Sequence, residues 1–201
     1  MNFQWYPGHM TKAKRQMQED IKLIDLVIEL VDARIPLSSR NPDIDELGKN
    51  KYRLILMNKA DLADKERTRE WSAFFKEKGF FVVSLDARSK SGMKSITDIV
   101  MEACKEKIER DRKRGIKNRP VRAMVVGIPN VGKSTFIKRF MEQMVLPGIT
   151  DEHQKNRTRD ELPQSAAGKT IMTTEPKFIP KEAAEIALED GITARVRLVD
   201  C

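Results

Sequence analysis

The stretch Gly127-Ile-Pro-Asn-Val-Gly-Lys-Ser-Thr135 fits the phosphate-loop pattern G-x-x-x-x-G-K-[ST] in full. It follows the apolar run Ala123–Val126, which is typical of a buried strand, and it leads into the amphipathic run Lys133–Gln143, which is typical of a helix. Its glycines let the backbone curl so that N–H groups point at phosphate oxygens, and the helix N-terminus adds a positive end. The pattern therefore predicts a strand–loop–helix unit that binds nucleotide phosphates.

Each position of the predicted loop has an expected role. Lys133 would reach the β- and γ-phosphates and so take part in catalysis, and the Ser134 hydroxyl would ligate Mg²⁺. The predicted phosphate-binding residues are Gly127, Asn130, Val131, Gly132, Lys133, Ser134 and Thr135.

The chain around this loop alternates between strand-like and helix-like segments. Amphipathic stretches separate short apolar runs, which predicts a mostly parallel sheet covered by helices on both faces. The fold class is therefore α/β, a three-layer fold of the P-loop NTPase type. The predicted strands are Leu26–Val31, Leu54–Met57, Phe81–Leu85, Ala123–Val126 and Ala194–Val199, and the predicted helices are Thr11–Leu23, Lys65–Lys78, Met93–Arg112 and Lys133–Gln143. The polar segment Gly148–Gly168 predicts a loop.

A second motif, Asn58-Lys-Ala-Asp61, follows the predicted strand Leu54–Met57. A carboxylate there can accept hydrogen bonds from N1–H and the 2-amino group of guanine. Adenine offers neither donor, so it would leave Asp61 desolvated and unpaired. Asn58 would bond the other edge of the purine, and the Lys59 stem would cover the ring. Taken alone, the motif is also compatible with a helix cap at Asp61, but a phosphate loop in the same chain favours the nucleotide-binding interpretation.

The next predicted strand is followed by Asp86-Ala-Arg88, the position of the Ser-Ala-Lys loop of GTPases. The backbone N–H of Ala87 would meet guanine O6, with Asp86 and Arg88 beside it. Any turn between a strand and a helix could look similar, so this motif supports guanine binding only together with the other two.

Composition and charge narrow the function classes. The 201 residues contain two cysteines and no apolar run long enough for a membrane span, which favours a reduced, cytoplasmic protein. The net charge of +8 is uneven: residues 1–133 carry +9 and residues 134–201 carry −1. The run Lys105–Arg122 holds nine basic residues, which fits either contact with RNA or a solvated helix face.

The order of these motifs, with the guanine loops before the phosphate loop, resembles that of circularly permuted GTPases. Residues Trp5–Ala13, Asp32–Pro36 and Ser38–Pro42, together with Gly127–Ser134, resemble the YlqF/RbgA branch of ribosome-biogenesis GTPases over about residues 1–135. The resemblance implies a cytoplasmic, Mg²⁺-dependent GTPase that binds GTP and GDP and acts on the large ribosomal subunit or its rRNA. The permuted order still gives one site, because a parallel sheet brings its strand ends to one edge.

The same resemblance implies a catalytic role for His9. In this family a hydrophobic residue replaces the glutamine that orients the attacking water, and a histidine of the N-terminal motif is the proposed substitute. A neutral imidazole can position water. The alternative is that Trp5–Met10 is a docking segment in which His9 only caps or packs.

From Ser134 onward the chain resembles a different protein. Residues Ser134–Pro147, Asp160–Phe178 and Arg197–Cys201 resemble stage IV sporulation protein A, a P-loop ATPase of the spore coat. We therefore expect one domain over residues 1–201, with a GTPase-like part at 1–135 and a truncated, sporulation-protein-like switch region at 136–201. The two resemblances meet inside the phosphate loop, as in a hybrid chain.

The switch region offers two further metal-site candidates. Thr174 precedes an extended run and could ligate Mg²⁺, and Asp200 follows a predicted strand and could hold a Mg²⁺-bound water. Thr150 competes with Thr174, although no strand is predicted after it. The glycine expected to sense the γ-phosphate after Asp200 is missing, which leaves GTP turnover an open question.

Two other functions stay open: an ATP-binding spore-coat protein, and a non-catalytic fragment that binds nucleotide or RNA. Oligomeric state is not predicted.

Overall fold

The computed structural model describes residues 15, 17–89, 93–116, 121–163, 177–187 and 193–200. Within them, six strands form one sheet in the order β3-β2-β1-β4-β6-β5. The strands are β1 (Leu26–Asp32), β2 (Tyr52–Asn58), β3 (Phe81–Ser84), β4 (Ala123–Val126), β5 (Lys177–Ala187) and β6 (Thr193–Asp200).

All neighbouring strands are parallel except β5, which runs antiparallel to β6 at the sheet edge. The central strands are mostly apolar because both of their faces are covered, and every residue of β1 and β4 is buried, including Glu29 of β1. The mostly parallel sheet predicted from the sequence is confirmed. The antiparallel β5 begins three residues after Thr174, where the sequence predicts an extended run.

The described helices are α1 (Asp43–Leu47), α2 (Lys65–Glu77), α3 (Met93–Ala103), α4 (Lys105–Lys113), α5 (Lys133–Phe140) and α6 (Glu152–Asp160). The prediction of one helix over Met93–Arg112 is wrong, because the helix is interrupted at Cys104. Cys104 is fully buried, and burial raises the pKa of its thiol to about 11. The predicted helix Lys133–Gln143 is α5, continued by a wider turn over Met141–Val145.

The predicted loop Gly148–Gly168 is also wrong in part, since α6 forms within it. The side chain of Asp151 caps this helix by accepting a hydrogen bond from His153 N at 2.8 Å. Glu152 in the first turn and Arg157 and Arg159 in the last turn complement the helix dipole. Thr158 is the one buried residue of α6, so apolar periodicity gave no sign of the helix.

The core has layers on both faces of the sheet. Alternate β1 residues point to opposite faces: Leu26, Ile28 and Leu30 join one cluster, and Val27 and Val31 join two others. The largest cluster also contains residues of α5 and of the segment after it, namely Phe136, Ile137, Met141, Val145, Leu146, Ile149, Leu162 and Ile179. Residues on both sides of the predicted junction therefore share one core.

Candidate nucleotide-binding site

Those predicted site residues that the structure describes lie at or just after the carboxyl ends of the parallel strands. Asp32 ends β1 and Asn58 ends β2, and the two are direct neighbours in the sheet register. The phosphate loop leaves the end of β4, and Asp200 ends β6 opposite Val125 of β4. Ligands of open α/β sheets bind at this edge.

The phosphate loop depends on two glycines for different reasons. At Gly127 the limit is space, because a Cβ there would lie 2.7 Å from Leu30 O and 2.9 Å from Val131 Cγ2. At Gly132 both space and conformation matter: φ is +99°, and a Cβ would collide with the Asn58 side-chain amide. Asn130 also has a positive φ of 67°. Such turns aim successive backbone N–H groups into one concavity.

Lys133 and Ser134 begin helix α5 at the inner end of the loop. The Lys133 ammonium donates to Gly127 O at 2.6 Å and Ile128 O at 3.1 Å, so it lies across the loop. Ser134 is exposed, and Thr135 is half-buried. These positions suit a lysine that moves onto phosphate oxygens and a hydroxyl that faces a metal ion.

Asn58 joins the three motifs that the sequence spreads over residues 58–135. Its side-chain amide donates to Val131 O in the phosphate loop at 2.8 Å, and its oxygen accepts from Ala87 N at 2.9 Å. Asn58 is 3% exposed and Ala87 is 1% exposed. The structure thus brings together the motifs at 58–61, 86–88 and 127–135. Contact of Asn58 and of Ala87 N–H with the purine stays a prediction.

Lys59 makes a second link between the loops. It adopts a left-handed conformation with φ of 61°, and its ammonium donates to Asn130 O at 2.7 Å and to Asp32 at 2.9 Å. Asp32 also accepts from the Arg34 guanidinium at 2.7 and 2.9 Å. The hydrogen bonds from Arg34, aided by those from Lys59, hold the pKa of Asp32 well below its usual range against the opposing effect of burial.

Asp61 and Arg88, both predicted guanine-binding residues, form an ion pair. The Arg88 guanidinium donates to Asp61 at 2.7 Å, and its Nε and backbone N–H donate to Asp86 at 3.3 and 2.9 Å. Asp61 is 34% exposed, and Arg88 is 65% exposed. Sequence reasoning missed this pair, because nothing in the two motifs indicates that they face each other.

The loop after β1 is fixed to the sheet by a charged cluster that was also missed. The Ser39 hydroxyl accepts from Asp32 N at 2.9 Å. Arg40 and Arg53 both donate to the fully buried Glu29, at 2.9 and 3.1 Å. Burial acts to raise the pKa of Asp45 beside them, but hydrogen bonds from the two arginines outweigh it and lower that pKa. This cluster holds residues 32–42 next to the site.

The side chains of three predicted site residues lie outside the described part of the structure. His9 and Thr174 lie outside the described residues, and Asp200 is described by its backbone alone. The competing Thr150 is exposed and leads into α6 rather than into a strand. The roles proposed for His9, Thr174 and Asp200 therefore stay predictions.

Comparison with known proteins matches the sequence interpretation in both parts of the chain. The chain is similar to the ribosome biogenesis GTPase A proteins. The Bacillus cereus protein of that name is 50% identical over 159 residues, which are 77% of this chain and 54% of the relative. The structure of GNP-bound YlqF from T. maritima superposes with a TM-score of 0.51 at 25% identity, covering 94% of this chain and 57% of that one.

The second predicted resemblance is confirmed as well. The sequence model of the ATPase domain of stage IV sporulation protein A matches residues 105–201, so it begins before the predicted junction. The Bacillus subtilis protein is 61% identical over 77 residues, which are 38% of this chain and 16% of the relative.

These matches show the fold class: an α/β, circularly permuted P-loop fold. The chain spans about half the length of the GTPase relatives that it matches. Among the described residues, no helix is both long and apolar enough to cross a membrane.

Proposed function

We propose that this chain is a Mg²⁺-dependent, guanine-selective GTPase of the bacterial cytoplasm that acts in assembly of the large ribosomal subunit. The observation that carries the proposal is the double hydrogen bond of Asn58 to Val131 O and Ala87 N. It links the motifs at 58–61 and 86–88 to the phosphate loop. Base and phosphates can then be bound together despite the permuted order of the chain.

The residues at this edge fit a guanine nucleotide. The turns at Asn130 and Gly132 form an anion-binding concavity at the start of α5, and Lys133 lies across it. Asp61 has a partly exposed carboxylate, which would accept hydrogen bonds from the donor edge of guanine. A phosphate loop with an adjoining purine carboxylate suits a nucleoside di- or triphosphate.

Hydrolysis would rest on positioning and charge rather than on a covalent intermediate. Lys133 would move from the loop carbonyls onto the β- and γ-phosphates and offset their growing charge. Mg²⁺, held by Ser134 with help from Thr174 and Asp200, would neutralise phosphate charge when bound. His9 would orient the attacking water.

The basic surface of α4 supports contact with rRNA. This helix ends in Arg112 and Lys113, and Arg114 follows; all three are exposed. A run of exposed cations attracts the phosphate backbone of RNA through release of counterions. We therefore propose α4 as the contact between this domain and the large subunit.

Two assays on purified large ribosomal subunits test the proposal. We expect GTP hydrolysis that requires Mg²⁺, is stimulated by subunits and is lost in Lys133→Ala. Replacing Arg112, Lys113 and Arg114 together with glutamine should lower co-sedimentation with subunits about tenfold or more. The matched control neutralises Lys65, Arg69 and Lys76, which are exposed cations of α2. An equal loss of co-sedimentation in both triple variants would contradict the proposed contact through α4. Absence of GTP hydrolysis, both with and without subunits, would contradict the proposed GTPase activity.

A second candidate function is ATP binding of the kind found in stage IV sporulation protein A. It is favoured by the match over residues 105–201, which includes the phosphate loop. Asp61 argues against it, because adenine itself offers this carboxylate no donors. Preference for ATP over GTP would support this candidate. Nucleotide binding without hydrolysis would support a non-catalytic role.

A further inference from the structure

Guanine and the Arg88 guanidinium carry similar N–H donors, and both would compete for the Asp61 carboxylate. Guanine presents N1–H and a 2-amino group, which is part of a cyclic guanidine. The Arg88 guanidinium presents the same kind of planar N–H donors, and it donates to Asp61 at 2.7 Å. A carboxylate that accepts from Arg88 has fewer lone pairs and a less favourable geometry for guanine.

Arg88 keeps a second carboxylate partner when guanine displaces it from Asp61. Its Nε and backbone N–H already donate to Asp86, which is 20% exposed. Displacement from Asp61 therefore leaves the guanidinium next to one carboxylate and in contact with water. The exchange costs only the exposed contact between Arg88 and Asp61, and such contacts are individually weak.

Adenine, unlike guanine, would not compete with Arg88 for Asp61. It offers no donors to Asp61, so Arg88 can stay on the carboxylate while adenine is bound. Arg88 then removes part of the desolvation cost that normally excludes adenine from such a site. The contact between Arg88 and Asp61 therefore weakens guanine binding and makes adenine binding less unfavourable.

We propose that Arg88 is a specificity-determining residue that competes with guanine for Asp61 and narrows the preference for guanine over adenine. This inference rests on the proposed function, since it takes the base to lie at Asp61. It assigns Arg88 a role opposite to that of a guanine-binding residue.

The test is the ratio of GDP to ADP affinity, measured by calorimetric titration with Mg²⁺ in wild type and in Arg88→Ala. We expect GDP to bind about two- to fivefold more tightly in the variant, and ADP, which then leaves Asp61 unpaired, to bind more weakly. The ratio isolates the base, because both nucleotides carry the same phosphates. Arg88→Gln keeps most of the side-chain length without the charge and should behave in the same way.

Salt gives a second readout on the wild-type protein. Added salt screens an exposed ion pair. The GDP to ADP ratio should therefore rise with salt in wild type and stay level in Arg88→Ala. The control is Arg67→Ala, which removes one charge from the exposed pair with Glu70 at 2.8 Å and should leave the ratio unchanged.

Three results would overturn the inference. GDP binding that is unchanged or weaker in Arg88→Ala would mean that Arg88 does not compete with the base. An equal change for GDP and ADP would mean a general electrostatic effect on the phosphates. Wild-type protein that binds neither nucleotide would contradict the proposed function itself, and the inference with it.

Discussion

Replacing Asp61 with asparagine is expected to weaken GDP binding roughly 100-fold or more. The carboxylate can accept two charge-assisted hydrogen bonds from guanine, whereas the amide offers one acceptor and turns a donor toward the 2-amino group. Asp61 lies on the turn Ala60–Leu62, which is held by hydrogen bonds from Ala60 N to Leu85 O and from Leu62 N to Lys59 O. The substitution should therefore alter the base contact without moving the loop.

The asparagine variant should also gain a new preference. Xanthine keeps N1–H but carries a carbonyl in place of the 2-amino group, so the amide can accept from one and donate to the other. Xanthosine diphosphate should bind Asp61→Asn more tightly than GDP, which is the reverse of the wild-type order. Calorimetric titration of both nucleotides against wild type and Asp61→Asn measures this reversal of affinity.

Asp64→Asn is the matched control for Asp61→Asn. Asp64 is three residues away and caps α2 by accepting from Arg67 N at 2.9 Å, a role that asparagine fills about equally well. Its GDP affinity should stay at the wild-type value. GDP affinity of Asp61→Asn within threefold of wild type would show that Asp61 does not read the base.

Replacing Gly132 with alanine is expected to damage both stability and nucleotide binding. A residue other than glycine held in this positive-φ conformation costs about 1–3 kcal/mol. The added methyl group would also collide with the Asn58 amide, so the loop or the link from Asn58 to Val131 must move. We expect GDP affinity to fall at least tenfold, because backbone N–H groups of the loop would lose their common direction.

Gly79→Ala separates the two effects of the Gly132 substitution. Gly79 follows α2 with a φ of +85°, and a Cβ there would have nothing within 4 Å. It should lose stability through backbone strain alone and keep full GDP affinity. Chemical denaturation and calorimetric titration of both variants measure the difference. Equal stability loss with intact GDP binding in Gly132→Ala would contradict the packing of Asn58 against this glycine.

The sequence predicted those parts of the fold that local pattern determines. Runs buried on both faces, such as Leu26–Val31, are apolar apart from a single buried charge at Glu29, and the observed strand differs from that prediction by one residue. Helix α6 was missed because it buries little, so its sequence resembles a solvated loop. The break at Cys104 was missed because no residue there disfavours a helix.

The site was predictable in its composition but not in its contacts. The motifs at 58–61 and 127–135 indicate a ligand chemistry, guanine and phosphate, through residue type and spacing. The bond from Asn58 to Val131 joins residues 73 positions apart, and the bond from Arg88 to Asp61 joins residues 27 apart. Such contacts depend on how the strands are ordered in the sheet, which sequence periodicity does not encode.

The central claim is that guanine loops and phosphate loop form one site in this permuted chain. Calorimetric titration with GDP, a non-hydrolysable GTP analogue and an ATP analogue, all with Mg²⁺, tests it most directly. We predict one site per chain that binds both guanine nucleotides and prefers them to the ATP analogue. Equal affinity for all three, or no binding of guanine nucleotides, would contradict it.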